Sequence, residues 1–245
     1  MILELDDVTV TFSAGPPLRR EHLHALRGVS LHVAEGETLG LVGESGSGKT
    51  TASRVALGLQ RPTRGAVRFA GKPFPKRRRE LAGHLQAVLQ HPHWSLNPRM
   101  RVGASVAEPL TVLGERAPDR VPAMLERVGL EADLAGRYPH ELSGGQRQRV
   151  SIARALVTRP TFIVFDEAVS ALDVSVQAQI LNLIKDLQQE FRFSALFISH
   201  DLGVVRYIAD RITVMRAGEV VETADTHTFY TAPSHEYSKR LLESL

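Results

Sequence analysis

The sequence contains no cysteine. That excludes a disulfide framework, a thiolate zinc site and a Cys-ligated iron–sulfur cluster, and it leaves the redox compartment open, with an intracellular one as the default expectation. Lysine is scarce as well, with 5 residues against 25 arginines. With 4 Tyr and no Cys, almost nothing titrates between neutrality and the arginine range, so the pI near 9.4 overstates a formal net charge of only +3. The arginines are scattered along the chain rather than massed on one face or tail, and nucleic acid is therefore not expected as a partner. Long apolar runs are missing too. No stretch approaches the roughly 18 uncharged apolar residues that would span a bilayer, so any membrane role is expected to come through a partner. The opening, Met1 to Asp7, is acidic and without an apolar run, so a secretory signal is not expected and the chain is placed in the cytosol.

What is present is an ordinary folded-domain balance: 245 residues, 43% of them hydrophobic, enough to fill one large core or a core plus a subdomain. Disorder and fibrous architectures are excluded. Leu3 to Phe12 and Leu26 to Val33 alternate apolar and polar residues on either side of a Pro- and Arg-rich break at Pro16 to Arg20, which predicts an antiparallel β start. Thr38 to Val42 is mostly apolar, a glycine-rich stretch follows, and Thr51 to Leu59 has helical spacing. Apolar runs at Ala87 to Leu89, Phe162 to Phe165 and Ala195 to Ile198 lack alternation, as expected for parallel strands buried on both faces. Between Pro98 and Pro160 the spacing turns helical, with Val102, Val106, Leu110 and Leu113 and then Val121, Leu125 and Val128 recurring on one face. A long amphipathic helix is predicted over Val174 to Phe191, and two short strands around Gly218 within Arg211 to Glu222. The class is α/β.

Three short segments carry chemistry. Gly43-Glu44-Ser45-Gly46-Ser47-Gly48-Lys49-Thr50 matches the phosphate-loop pattern G-x-x-x-x-G-K-[ST] and lies between a predicted strand and a predicted helix. Its glycines let backbone N–H groups curl around phosphates at a helix N-terminus, Lys49 reaches the outer phosphates, and Thr50 offers a hydroxyl to Mg²⁺. Phe162 to Glu167 ends a buried strand in two carboxylates, where Asp166 can hold Mg²⁺ through water and Glu167 can polarise an attacking water as general base. Leu142-Ser143-Gly144-Gly145-Gln146 precedes a helix expected to run to about Val157. Ser143 is its expected N-cap, and with no lysine of its own this second anion site is incomplete, as expected of one that finishes a nucleotide site formed mostly by another subunit. Each has a plainer alternative: a glycine-rich turn, a strand end capped by solvated acids, and a structural helix start.

In this order along the chain, these residues resemble the ATP-binding cassette family, whose ATPase subunits combine a phosphate loop, an LSGGQ signature, an FDE-type strand end and a switch histidine, here His200. Gln90 sits at the Q-loop position, and Ser170-Ala171-Leu172-Asp173 looks like the D-loop. The resemblance covers essentially the whole chain. It implies a single domain, 1–245, with a P-loop NTPase RecA-like core and an N-terminal antiparallel β-subdomain in 1–90 and 160–245, and an inserted helical subdomain at about 91–159 carrying the signature. Two such domains would pair head to tail around two ATPs. Each nucleotide would lie between one chain's Gly43 to Thr51 and the other's Ser143, Gly144, Gly145 and Gln146, with Asp173 close by. His200 would contact the γ-phosphate, Glu167 and Gln90 would take part in hydrolysis, and Thr50, Gln90 and Asp166 would serve Mg²⁺. Without the family, His200 is only a surface histidine beside Asp201. Phe12 resembles the aromatic that stacks on adenine, with an ordinary buried core Phe as the alternative, since the Ser13 to His24 insertion loosens that match.

Ser95-Leu96-Asn97-Pro98-Arg99, Tyr138-Pro139-His140-Glu141 and Pro233-Ser234-His235-Glu236-Tyr237 with Leu241-Leu242 are similar to segments of the peptide and nickel importer branch; His91 departs from it. That branch implies a second cassette, identical or homologous, two transmembrane permease subunits and an external solute-binding protein. The chain would then be peripheral, at the cytoplasmic face of the cell membrane. Gln90 and the helices after it are the expected meeting surface with those subunits. The rival classes are a cassette ATPase of DNA repair, chromosome maintenance or translation, a phosphotransferase of the nucleotide-kinase type, and an importer for another solute. Lys49 and Asp166 are too close for a long coiled-coil insertion, and a kinase would not need Ser143 to Gln146. His84, His91 and His93 lack a recognised metal-ligand spacing, and Lys76 to Arg79 reads as a solvated face.

Overall fold

The computed structural model describes residues 1–14, 21–75, 77–89 and 96–243, and they fall into two compact units. The first unit combines Met1–Lys76 with Ser194–Leu245. Its antiparallel sheet has the order β2-β1-β4-β5, built from β1 (Leu3–Ala14), β2 (Glu21–Val33), β4 (Arg64–Phe69) and β5 (Lys72–Pro73). Leu3 and Leu5 are buried, and so are Val8 and Val10, although the two pairs differ in parity. The register against β2 shifts between Leu5 and Val8, where Asp7 takes φ 47. One extra residue thus carries the apolar face of β1 across the bulge, with an aspartate, a residue that tolerates left-handed backbone, at the bend. The β1–β2 pairing extends beyond the predicted strands through Phe12↔Leu23 and Ser13↔His22, so part of the expected insertion is continuous hairpin.

In the same unit, β3 (Thr38–Val42) runs parallel to β8 (Ser194–Ile198) on one side and β9 (Arg211–Arg216) on the other, and β9 turns back into β10 (Glu219–Asp225). All five residues of β3 and of β8 are buried, as their unalternating apolar runs require. Helices α1 (Lys49–Ala56), α6 (Leu202–Ile208), α7 (Thr226–Thr231) and α8 (Glu236–Glu243) complete it. Helix α1 starts two residues before the predicted Thr51.

The second unit, Arg77–Phe193, pairs β6 (Leu85–Leu89) with β7 (Phe162–Asp166) in parallel. Its helices are α2 (Val102–Leu113), α3 (Arg120–Arg127), α4 (Gly144–Leu156) and α5 (Val174–Phe191). Val102, Val106, Leu110, Leu125 and Val128 are buried as their spacing predicts, and α5 buries Ile180, Leu181, Ile184 and Leu187 on one stripe. One expectation fails. Strand β6, at the edge of its sheet, is not buried on both faces: Val88 is covered, but Leu89 is 43% exposed. Arg78–Leu81 forms a single 3-10 turn with Arg77 and Arg79 exposed, matching the solvated reading of that basic run.

Candidate functional site

The loop Gly43 to Gly48 leaves the carboxyl end of β3, the edge at which parallel α/β sheets bind ligands. Its entry tolerates only glycine: Gly43 has φ 148, and a Cβ there would lie 2.2 Å from the Met215 carbonyl oxygen and 2.8 Å from Ser47 Oγ. Lys49 opens α1 and is 7% exposed. Its Nζ donates to the carbonyls of Gly43 at 2.6 Å and Glu44 at 2.8 Å and to Ser47 Oγ at 3.3 Å, so the ammonium is held inside the curl of its own loop. No side chain caps α1 and no acidic residue lies in its first turn. The positive end of the helix therefore faces the loop. Glu44, Ser45, Gly46 and Thr50 are exposed, Thr51 is half-buried and Ser47 is buried.

The loop is braced from two distant places. Ser47 accepts through its carbonyl from Gly218 N at 2.9 Å, and Gly218 in turn accepts from Arg27 N at 2.8 Å. The Glu44 amide donates to Tyr237 Oη at 3.2 Å. Sequence reasoning missed these contacts, of which the last joins residues 193 positions apart. The only sequence signal was the Pro233 to Tyr237 motif itself.

His200 lies two residues beyond β8. The register Leu41↔Ile198 puts it at the same sheet edge as Gly43, which lies two residues beyond Leu41, and Ser199 N donates to Leu41 O at 3.4 Å. The imidazole is exposed, and its neighbour Asp201 caps α6 by accepting from Val204 N at 3.1 Å. Phe12, on β1 opposite Leu23, is 37% exposed while Leu23 is 67% exposed. The alternative of a buried core Phe is thereby overturned: the extended hairpin holds this side chain at the surface.

In the second unit, β7 ends at Asp166, paired with Leu89 of β6, and Glu167 follows at φ 49. That left-handed backbone is costly for a residue other than glycine, and it is held by Ser170, whose N–H and hydroxyl donate to the Glu167 carbonyl at 3.2 and 3.0 Å. The chain then runs through the Ser170 to Asp173 turn into α5, with Asp173 exposed at its N-cap. Ser143 caps α4 reciprocally: its Oγ accepts from Gln146 N at 3.2 Å, and Gln146 Oε1 accepts from Ser143 N at 2.9 Å. The hydroxyl accepts that bond through a lone pair and keeps its own proton to donate outward. Gly145 stands so near α5 that a Cβ would lie 2.8 Å from Val176 Cγ1, and a Cβ on Gly144 would lie 3.7 Å from Leu172 Cδ2. The signature thus abuts the turn that follows the two carboxylates. Gln90, His91, His93, Trp94 and Ser95 lie outside the described residues.

Residues 26–170 match the family described as ABC transporter. The oligopeptide transport ATP-binding protein AppF of Bacillus subtilis is 46% identical to the chain, the alignment covering 100% of the chain and 78% of AppF. OppF of Salmonella typhimurium, also an oligopeptide transport ATP-binding protein, is 44% identical, with 100% of the chain and 78% of OppF covered. Among solved structures, the dimeric post-hydrolysis state of the ATP-binding cassette MJ0796 bound to ADP and Pi superposes with a TM-score of 0.81 at 30% identity. It covers 92% of this chain and 99% of that one.

Proposed function

Because the chain belongs to the ABC transporter family, we propose that it is the ATP-binding and ATP-hydrolysing subunit of a peptide importer. The observation that carries the chemistry is Lys49: a buried ammonium enclosed by the loop at an uncapped helix N-terminus, the arrangement that receives polyphosphate. The cargo rests on kinship. The relatives named above are oligopeptide transport proteins aligned along the full chain, which favours peptides over nickel within the importer branch.

In this reading Gly43 to Thr51 bind ATP, Phe12 stacks on its base, Glu167 serves as general base, and Gln90 and His200 assist at the γ-phosphate. Ser143, Gly144, Gly145, Gln146 and Asp173 act on the nucleotide of a second cassette, identical or homologous. Thr50 and Asp166, with Gln90, supply the oxygen donors that suit Mg²⁺, a hard cation that neutralises phosphate charge when bound. Thr50 presents an exposed hydroxyl at the helix start and Asp166 a half-buried carboxylate at a strand end, as such a role requires. The domain is a single cassette with residues 91–159 as its helical subdomain. Among the described residues no helix is long and apolar enough to cross a membrane. The partners proposed from kinship with importer subunits are two permease subunits that form the pathway and a solute-binding protein that delivers cargo. The chain works peripherally, on the cytoplasmic face.

The test combines binding and transport. MgATP should bind the full chain by calorimetry, and Lys49→Ala should abolish tight binding by removing a charge-assisted contact to the outer phosphates. The chain should co-purify with two membrane subunits that, in vesicles, accumulate short peptides at the expense of ATP. Unchanged MgATP affinity in Lys49→Ala would overturn the site, and nickel uptake without peptide uptake would overturn the cargo.

A further inference from the structure

Pro233 to Tyr237 takes no part in the chemistry assigned above, yet several hydrogen bonds hold it in the first unit. Glu222, on β10 and only 7% exposed, accepts from Ser234 N at 2.7 Å and Ser234 Oγ at 2.8 Å through one carboxylate oxygen and from His235 N at 3.1 Å through the other. His235 Nδ1 then accepts from Tyr237 N at 3.0 Å, and the His235 carbonyl from Lys239 N at 3.1 Å. The start of α8 is thereby tied to β10. The result is that the Tyr237 ring, 4% exposed, lies under the Arg216 guanidinium, 5.0 Å from the ring centroid, with its hydroxyl accepting from Glu44 N. Glu44 is held at both ends: its amide by Tyr237 and its carbonyl by Lys49 Nζ.

We propose that Tyr237 is a positioning residue of the nucleotide site, so that docking of α8 on β10 sets the affinity of the phosphate loop for ATP. The proposal rests on the reading of Gly43 to Thr50 as the ATP loop. A loop that wraps phosphates loses conformational freedom on binding unless it is already folded, and each fixed peptide reduces that cost. The Tyr237 hydroxyl fixes the Gly43–Glu44 peptide, whose own carbonyl is one of the two that anchor Lys49. When α8 leaves, the fraction of loops already in the receptive shape falls, and apparent affinity falls with it. By linkage, bound ATP strengthens the docking of α8 by the same factor.

The discriminating variant is Tyr237→Phe, which keeps the ring and the Arg216 contact and deletes only the hydroxyl. On the full chain, the Kd for MgATP measured by calorimetry should rise roughly 3- to 10-fold, the range for one hydrogen bond. MgATP should slow amide hydrogen exchange across residues 236–243 in the wild type and much less in Tyr237→Phe. A purely structural tyrosine would not link those two readouts. Should Tyr237→Phe fold poorly, Glu222→Gln keeps the tyrosine while loosening its support and should shift Kd in the same direction. Wild-type affinity in a folded Tyr237→Phe, or equal protection of α8 by MgATP in both proteins, overturns the proposal. A wild-type chain that does not bind MgATP overturns instead the reading of the loop itself.

Discussion

Glu167 follows a buried strand directly and holds a left-handed backbone, as Ala70 and Ala217 do after β4 and β9, but at Glu167 the residue so placed carries a carboxylate. Ser170 supplies the two hydrogen bonds that hold the distortion, both to the Glu167 carbonyl. The proposed role as general base is tested at the side chain. Glu167→Gln keeps size and backbone and removes only basicity, so MgATP binding should persist while hydrolysis slows by roughly 10² to 10⁴. Single-turnover hydrolysis with radiolabelled ATP measures this, and a wild-type rate would assign the base elsewhere. At this scale the sequence was most informative where chemistry dictates spacing. Gly43, Lys49 and Thr50 are legible because a phosphate loop admits few residue types at fixed intervals. Tyr237 was not legible as a partner of Glu44, because nothing local marks a hydrogen bond between residues 193 positions apart in sequence.

At the scale of elements, legibility followed length and periodicity. Helix α5 runs over the predicted Val174 to Phe191 because eighteen residues give its apolar stripe several repeats. Strand β6 offered only three apolar letters, from which no edge position can be read, and its outer face proved open. The β1–β2 hairpin was underestimated because Ser13, His22 and His24 are polar. The structure pairs them across the strands, with Ser13 Oγ and Thr11 Oγ1 each 3.0 Å from a histidine Nδ1. The link between β10 and α8 carries a pH dependence. Burial by itself pushes the Glu222 carboxyl up, but the neighbouring Ser238 hydroxyl and the donors of Ser234 and His235 outweigh it, so its pKa lies below the ordinary 4.5. A carboxylate depressed in the folded state stabilises fully above its unfolded pKa and loses that contribution as pH falls through the folded value. Docking of α8 should therefore hold at neutral pH and weaken in acid, below the ordinary carboxylate range. Hydrogen exchange across residues 234–243, corrected for intrinsic rates, should show an acid-triggered opening. In Glu222→Gln that opening should already be present near neutrality and insensitive to acid; an unchanged acid transition in the variant would assign the effect to another group.

At the scale of the whole molecule, the question is why one chain carries a complete phosphate loop and also a second glycine-flanked helix start. Ser143 caps α4 and still has a proton to donate, and Gly144 and Gly145 add no side chain of their own to the helix start, so α4 presents an anion-seeking N-terminus with no lysine. Such a surface has a use when it closes over a nucleotide held by another cassette. Ser143→Arg should then impair hydrolysis at the partner's loop while leaving MgATP binding by the chain's own Lys49 nearly intact. Mixing tagged Ser143→Arg chains with Lys49→Ala chains separates this from ordinary misfolding. Each variant alone carries a lesion in both sites of its dimer. In a head-to-tail mixed dimer one site gathers both lesions, and the other, with an intact Lys49 facing an intact Ser143, has none. Random pairing puts half of the dimers in the mixed form, so activity should recover to about a quarter of the wild-type rate if the two sites act independently. Recovery that peaks near equal mixing and vanishes when dilution separates the chains would follow from composite sites alone. If no ratio of the two variants hydrolyses ATP faster than either one by itself, although mixed dimers are isolated through both tags, Ser143 acts within its own chain.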